Sequence, residues 1–186
     1  DVNRVFVGWK TFTGDLYVTT SADGGSTFSA AVRVNDVSGK ASHGFDMDAQ
    51  RDTVYVTWGD SRTDPEADVF LDRASAGLAF GADVRVNDVT TRYQEYPAIL
   101  VALSGAVHVF WQDHRTNGGR YEIYSATSGD QGATWTASGR VNTVTTGDQR
   151  RVDAAEDAQG KVFCGWQDDR FNQNTVQFDL FVAATP

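Results

Sequence analysis

Tyr93-Gln94-Glu95-Tyr96 is the stretch of this 186-residue chain richest in groups able to engage a ligand. Two phenol rings can stack on the apolar face of a sugar, and the carboxylate of Glu95 can accept its hydroxyls. Arg150-Arg151 adds two guanidinium groups, which pair bidentately with a carboxylate or another anion. His43, Asp46 and Asp153 fall at matching places elsewhere in the chain. The plainer reading makes all of these solvated loop residues, with the arginines neutralised by Asp148 or Asp153. Both readings stand at this point.

A second constellation recurs. Trp58-Gly59-Asp60-Ser61-Arg62, Trp111-Gln112-Asp113-His114-Arg115 and Trp166-Gln167-Asp168-Asp169-Arg170 share one pattern, each following an alternating aliphatic stretch. Val5-Phe6-Val7-Gly8-Trp9 is a worn copy that lacks the Asp and Arg. Three equivalent trios could be three ligand sites. The favoured reading is structural, with Asp and Arg bridging loops or neighbouring units while Trp fills the gap, because repeated units need a repeated interface.

The elements that must position these groups follow from the same repeat. Trp9, Trp58, Trp111 and Trp166 recur at intervals of about 50 residues, a period typical of propellers and solenoids. Val-x-Val-x-Trp alternates with period two, as a strand does. Each copy is followed by a short β-prone triplet: Asp15-Leu16-Tyr17, Asp68-Val69-Phe70, Glu122-Ile123-Tyr124 and Asp179-Leu180-Phe181. Then comes a turn, Ser21-x-Asp23-x-Gly25-x-Thr27-Phe28 in the first unit and Ser128-x-Asp130-x-Gly132-x-Thr134-Trp135 in the third. The Asp can accept backbone N–H bonds within the turn and the Gly supplies positive φ. The aromatic is expected to plug into neighbouring core. The second unit keeps only Ser75 to Phe80 of this turn. Arg33, Arg85 and Arg140 then open three Arg-Val-Asn segments.

These marks predict an all-β, four-stranded antiparallel blade with strands A to D, repeated over about residues 1–38, 39–90, 91–145 and 146–186 as one domain. Asp1 aligns with the end of a strand A, and Thr185 with the Ser that opens the turn. The expected strand counts are therefore three, four, four and three, in a four-bladed propeller with incomplete end blades that could pair with another chain. Antiparallel connectivity sorts the loops. A-to-B and C-to-D turns share one face; B-to-C and D-to-A loops share the other. The ligand candidates His43, Tyr93, Glu95, Tyr96, Arg150 and Arg151, with Asp46 and Asp153 at strand starts, are expected on that second face near the axis.

Bulk composition narrows the partners. The net charge of −9, from 16 basic and 25 acidic residues, argues against nucleic acid, which is bound by releasing counterions from phosphate to Lys and Arg. No apolar run is long enough to predict membrane insertion. The chain begins at Asp1 with no visible signal peptide, so a processed or trimmed product is expected. The single cysteine, Cys164, occupies the slot of Val7, Val56 and Val109 and reads as a small buried hydrophobe. His43, His108 and His114 lack metal-ligand spacing, and no cofactor or metal is expected. Asp46-Met47-Asp48 and Asp64-Pro65-Glu66 could meet Ca²⁺ through hard oxygens, but acidic surface is the simpler account.

The Ser-x-Asp-x-Gly-x-Thr-aromatic turns resemble the Asp-boxes, or bacterial neuraminidase repeats, of the sialidase superfamily. Together with Trp-x-Asp-x-Arg and Arg-Val-Asn they resemble repeats of secreted bacterial sialidase-like proteins. The resemblance spans the chain and implies a propeller fold; it implies activity far less, because Asp-boxes are structural. A sialidase needs three arginines on the substrate carboxylate, a Tyr nucleophile activated by Glu, and an Asp acid/base. The family's Arg-Ile-Pro segment is absent, and in Glu95-Tyr96 and Tyr121-Glu122 neighbouring strand residues point opposite ways. The resemblance therefore implies a non-catalytic, extracellular (secreted or cell-surface) module binding glycan or a protein surface. The alternatives are an assembly unit of a larger surface protein and a sialidase-type hydrolase.

Overall fold

The computed structural model describes residues 3–63, 65–116, 119–171 and 179–184. Asp1, Asp64 and Thr185, each used in the sequence reading, lie outside the described residues. The described residues form fourteen strands in four antiparallel sheets. The first holds β1 (Val5–Lys10), β2 (Leu16–Ser21) and β3 (Val32–Arg33). The second is β4 (Ala41–Gln50), β5 (Thr53–Asp60), β6 (Asp68–Ser75) and β7 (Val84–Arg85). The third is β8 (Gln94–Val101), β9 (Val107–Asp113), β10 (Glu122–Ser128) and β11 (Gly139–Arg140). The fourth holds β12 (Gln149–Glu156), β13 (Val162–Asp168) and β14 (Asp179–Ala184). The three, four, four and three strands expected from the repeat are all present. The arrangement is propeller-like: β4, β8 and β12 pack in series on the inner side, and each sheet stacks against the next.

Alternation explains the stacking. Val54, Val56 and Trp58 of β5 are buried against the first sheet with Leu16 and Val18. Val107, Val109 and Trp111 of β9 pack against the second sheet's Val69 and Leu71. Val162, Cys164 and Trp166 of β13 join Phe110 and Ile123 of the third. So each aliphatic–Trp face lies on the opposite-facing residues of the preceding sheet. Full burial of one such side chain is worth about 1.5–3 kcal/mol. Cys164 fills its valine slot, and burial pushes its thiol up to about 11, so it stays protonated.

Carboxylates also cross the junctions. Asp46 Oδ2 accepts the Ile99 N–H at 2.9 Å and Asp48 Oδ2 the Val101 N–H at 2.7 Å. These donors lie on the side of β8 away from its ladder partner β9.

Three expectations need correction. Asp46 and Asp153 do not start their strands, because β4 and β12 begin upstream at Ala41 and Gln149. A bulge in each inner strand breaks the alternation that would have revealed those first residues. Phe28 does not plug into core; it is exposed. Phe80 packs on the core shared with the first sheet and Trp135 on the core shared with the second, so this aromatic always reaches backward. Among the described residues no sheet precedes the first, and Phe28 has nothing to reach.

Candidate functional site

The repeated polar residues pair largely within their own sheets, and Arg115 also bridges to Asp88 of the preceding repeat at 3.5 Å. Trp58 Nε1 donates to Asp60 Oδ2 at 2.8 Å, Trp111 Nε1 to Asp113 Oδ2 at 2.8 Å and Trp166 Nε1 to Asp168 Oδ2 at 3.2 Å. The same carboxylates accept the backbone N–H and guanidinium of Arg62, Arg115 and Arg170. Each guanidinium lies over the aromatic ring of the adjacent triplet: Phe70 at 4.1 Å, Tyr124 at 4.1 Å and Phe181 at 3.8 Å. Asn35, Asn87 and Asn142 stitch the fourth strand back, each Oδ1 accepting at 2.8 Å the N–H of Leu16, Val69 or Ile123. At the opposite face, Asp23 and Asp130 organise the turns. Asp23 takes the Ser21 hydroxyl at 2.7 Å and the Thr27 N–H at 2.8 Å; Asp130 takes the Ser128 hydroxyl at 2.7 Å and the Thr134 N–H at 2.8 Å. Gly25 and Gly132 sit at φ of 94° and 89° as these turns require. The threonine hydroxyl and N–H bonds hold both aspartates at about 2.

The non-repeated candidates gather at the bulges. The register of β4 shifts between Ala41 and Phe45, of β8 between Glu95 and Ala98, and of β12 between Arg150 and Asp153. The residue that turns each bulge is left-handed: Gly44 at φ 75°, Tyr96 at 50° and Arg151 at 50°. Only glycine adopts this without strain, and a held outlier costs about 1–3 kcal/mol. Just before each bulge, at the same place in three consecutive sheets, stand His43, Glu95 and Arg150.

These three converge around Glu95, which is buried. Its Oε2 lies 3.7 Å from His43 Nε2, and its Oε1 accepts the Gln112 amide at 2.9 Å. The Tyr93 ring is 5.9 Å from His43. Tyr121 faces the Glu95 carboxylate with its hydroxyl, and Arg150 lies over its ring at 4.2 Å. Burial, then the Glu95 carboxylate, raise the Tyr121 phenol far above its ordinary range. Arg150 also pairs with Asp148 at 2.8 Å, which is one of the two acids considered for it. Arg151 is exposed and lies over the Tyr96 ring at 5.6 Å; Tyr96 rests against Gly44, where a Cβ would come within 2.9 Å of the ring.

Six candidates thus form one cluster at the B-to-C end of the sheets; Tyr93 lies in the loop just before β8 as expected, while His43, Glu95, Tyr96, Arg150 and Arg151 are strand residues beside bulges. Asp153 stands apart. It lies further down β12, its Oδ1 accepting the Ala154 N–H at 2.8 Å. Together with Asp46, Asp48, Leu100 and Glu156 it walls an open axial cleft of about 630 Å³ that runs toward the A-to-B turns. Burial, and the charges of Asp153 and Asp48, raise the Asp46 carboxyl, while the Ile99 and Met47 N–H groups oppose the rise. Tyr121 and Gln112 are members that sequence reasoning missed. Gln112 sits inside a repeated motif, where Gln167 matches it and only Gly59 differs, so its position carried little signal. Tyr121 carried none beyond being next to Glu122.

No protein-family model matches the chain, and no curated protein matches it in sequence. Solved structures do match. The α-L-arabinanase of Penicillium chrysogenum, complexed with arabinobiose, superposes with a TM-score of 0.73 at 16% identity. The GH93 α-L-arabinofuranosidase of Fusarium graminearum, with arabinobiose, gives 0.71 at 12%. In both, the match covers 98% of this chain and 59% of the other. The NanB sialidase of Streptococcus pneumoniae gives 0.63 at 10%, over 89% of this chain and 26% of that one. The chain thus spans about three-fifths of the first two and a quarter of the third. At these identities the likeness is one of fold: a propeller-like array of the kind seen in these glycoside hydrolases.

Proposed function

We propose that this chain is a non-catalytic carbohydrate-recognition propeller of the sialidase-like, Asp-box type, working outside the cell, with its ligand site at the bulge cluster. One observation carries the reading. The residues that repeat from sheet to sheet satisfy one another, whereas His43, Glu95 and Arg150 occupy one repeated position with three unlike side chains, drawn together with Tyr93 and Tyr121. A position that structure alone required would hold the same residue in each sheet. The left-handed backbone at Tyr96 and Arg151 is strain held at the same place, where strain accompanies function. The matched arabinanase, arabinofuranosidase and sialidase are carbohydrate-active proteins, which supports a sugar over a protein surface as ligand.

Tyr93 and Tyr121 would stack on a sugar ring, Glu95 and His43 would read its hydroxyls, and Arg151 would meet an anionic substituent. A glycan array tests this. Binding is expected, and Tyr93→Ala and Glu95→Gln should each weaken it at least tenfold with the fold intact. An array on which no glycan binds would overturn the reading.

The contact between Tyr121 and Glu95 is the one feature favouring a hydrolase. Against it, the contacts of the cluster include Arg150 and Arg151 but, among the described residues, no third arginine to grip a sialidase substrate's carboxylate. Turnover of a fluorogenic sialoside or arabinofuranoside, abolished by Tyr121→Phe, would establish that alternative.

A further inference from the structure

One buried side chain ties two of the bulges together. Gln112 stands on β9 opposite Glu95 of β8 and is 2% exposed. Its Nε2 donates to Glu95 Oε1 at 2.9 Å, and its Oε1 accepts the Arg151 N–H of β12 at 3.2 Å. These two partners fix which way the amide faces, since a carboxylate needs a donor and an N–H needs an acceptor. That N–H belongs to the left-handed residue that turns the β12 bulge. The guanidinium of the same residue lies over the ring of Tyr96, next in sequence to Glu95. One amide therefore holds both the carboxylate of the third sheet and the root of the arginine of the fourth. The corresponding residue of the second sheet is Gly59, where a Cβ would come within 2.6 Å of the His43 carbonyl oxygen. There backbone seats the bulge; at Gln112 a side chain does so, reaching both ways.

We propose that Gln112 is the positioning residue of the ligand site. It keeps Glu95 and Arg151 at one spacing, so that the site selects a sugar carrying a hydroxyl and an anionic group on the same ring. This rests on the reading of the bulge cluster as a carbohydrate site. A carboxylate accepts the hydroxyl while a guanidinium takes the anion. Holding the two in place beforehand favours the acidic sugar, because an unanchored Arg151 would have to be ordered by the anion itself. Only an amide serves both partners without adding charge. Leucine fills the space and bonds neither. Glutamate can accept from Arg151, but it can donate to Glu95 only when protonated, and two carboxylates sharing a site raise the proton affinity of one.

Isothermal titration with the methyl glycosides of glucuronate, galacturonate and N-acetylneuraminate, each against its own methyl ester, tests this. The parent chain should bind at least one acid tenfold or more tighter than its ester. Gln112→Leu should lower that ratio at least fivefold, and so should Arg151→Ala. The two changes together should do no more than either alone, since they remove one shared effect. Gln112→Glu should resemble Gln112→Leu at pH 8 and return toward the parent at pH 5, where the added carboxyl takes up a proton and donates to Glu95. A residue that merely supported the fold would show no such return. A measurement without ligand accompanies these. Hydrogen exchange at the Arg151 amide should quicken at least tenfold in Gln112→Leu while circular dichroism stays unchanged; if Gln112→Leu does not fold, the pH dependence of Gln112→Glu decides. Acid and ester bound equally by the parent, an unchanged ratio in Gln112→Leu, or an unchanged Arg151 exchange rate would each overturn the role of Gln112 and leave the carbohydrate reading standing. A chain that binds no sugar at all would bring down that reading and the selectivity with it.

Discussion

Among single residues, Asp72 offers a direct test because only one oxygen of its buried carboxylate is paired. It is buried on β6, its Oδ1 accepts the Arg73 N–H, and its Oδ2 has no partner. Burial raises its carboxyl to about 6, opposed by the N–H groups of Arg73 and Gly81 and assisted by the charges of Asp83 and Asp36. A carboxyl raised on folding binds its proton more tightly in the folded state. Its unfavourable contribution therefore grows as pH rises from about 4 to about 6. Asp72→Asn keeps the acceptor and removes the charge. It should stabilise the protein by about 3 kcal/mol at pH 8 and by almost nothing at pH 3. Urea titration at the two pH values checks this, and an equal effect at both would exclude a buried charge.

At the level of the element, the inner-strand bulges set the stability against the site. Gly44→Ala places a Cβ 2.9 Å from the Tyr96 ring at a φ of 75°, and should cost about 1–3 kcal/mol. Arg151→Gly relieves the left-handed strain at φ 50°, so it should leave thermal stability equal or higher while lowering affinity for an anionic glycan. Paired melting and binding measurements separate the two effects. The same bulges mark where the sequence ceased to be readable. Strands B and C were legible because Val-x-Val-x-Trp and the acidic triplets alternate without a break. The Asp turns were legible because Asp and Gly have one mechanical use there. Strand A was misjudged at its start, because a bulge sends two successive residues to one side and erases the period of two. The partners Gln112 and Tyr121 reach Glu95 only through that displacement. A rule that neighbouring strand residues point apart separates Glu95 from Tyr96, and it says nothing about a tyrosine on another strand's approach.

For the whole molecule, charge and apolar burial act against each other. The chain carries a net charge of −9, so its acidic groups repel one another in the folded state. That repulsion is long-ranged and screened by salt, whereas burial of apolar surface is not weakened by it. Thermal stability should therefore rise by a few degrees as salt rises from 20 to 300 mM. Melting curves across that range check the sign, and a melting temperature that falls would mean that ion pairs such as Arg62–Asp60 outweigh the repulsion.

Asp46 and Asp48 bear on what the open axial cleft can offer to another molecule. The flank of β8 turned to the axis carries the N–H groups of Ile99 and Val101, and these two carboxylates already occupy them. An extended peptide seeking to join the sheet by β-addition finds no donors there. Whatever enters the cleft along β8 would meet side chains rather than free backbone donors, an arrangement that suits a polyhydroxylated guest better than a polypeptide one.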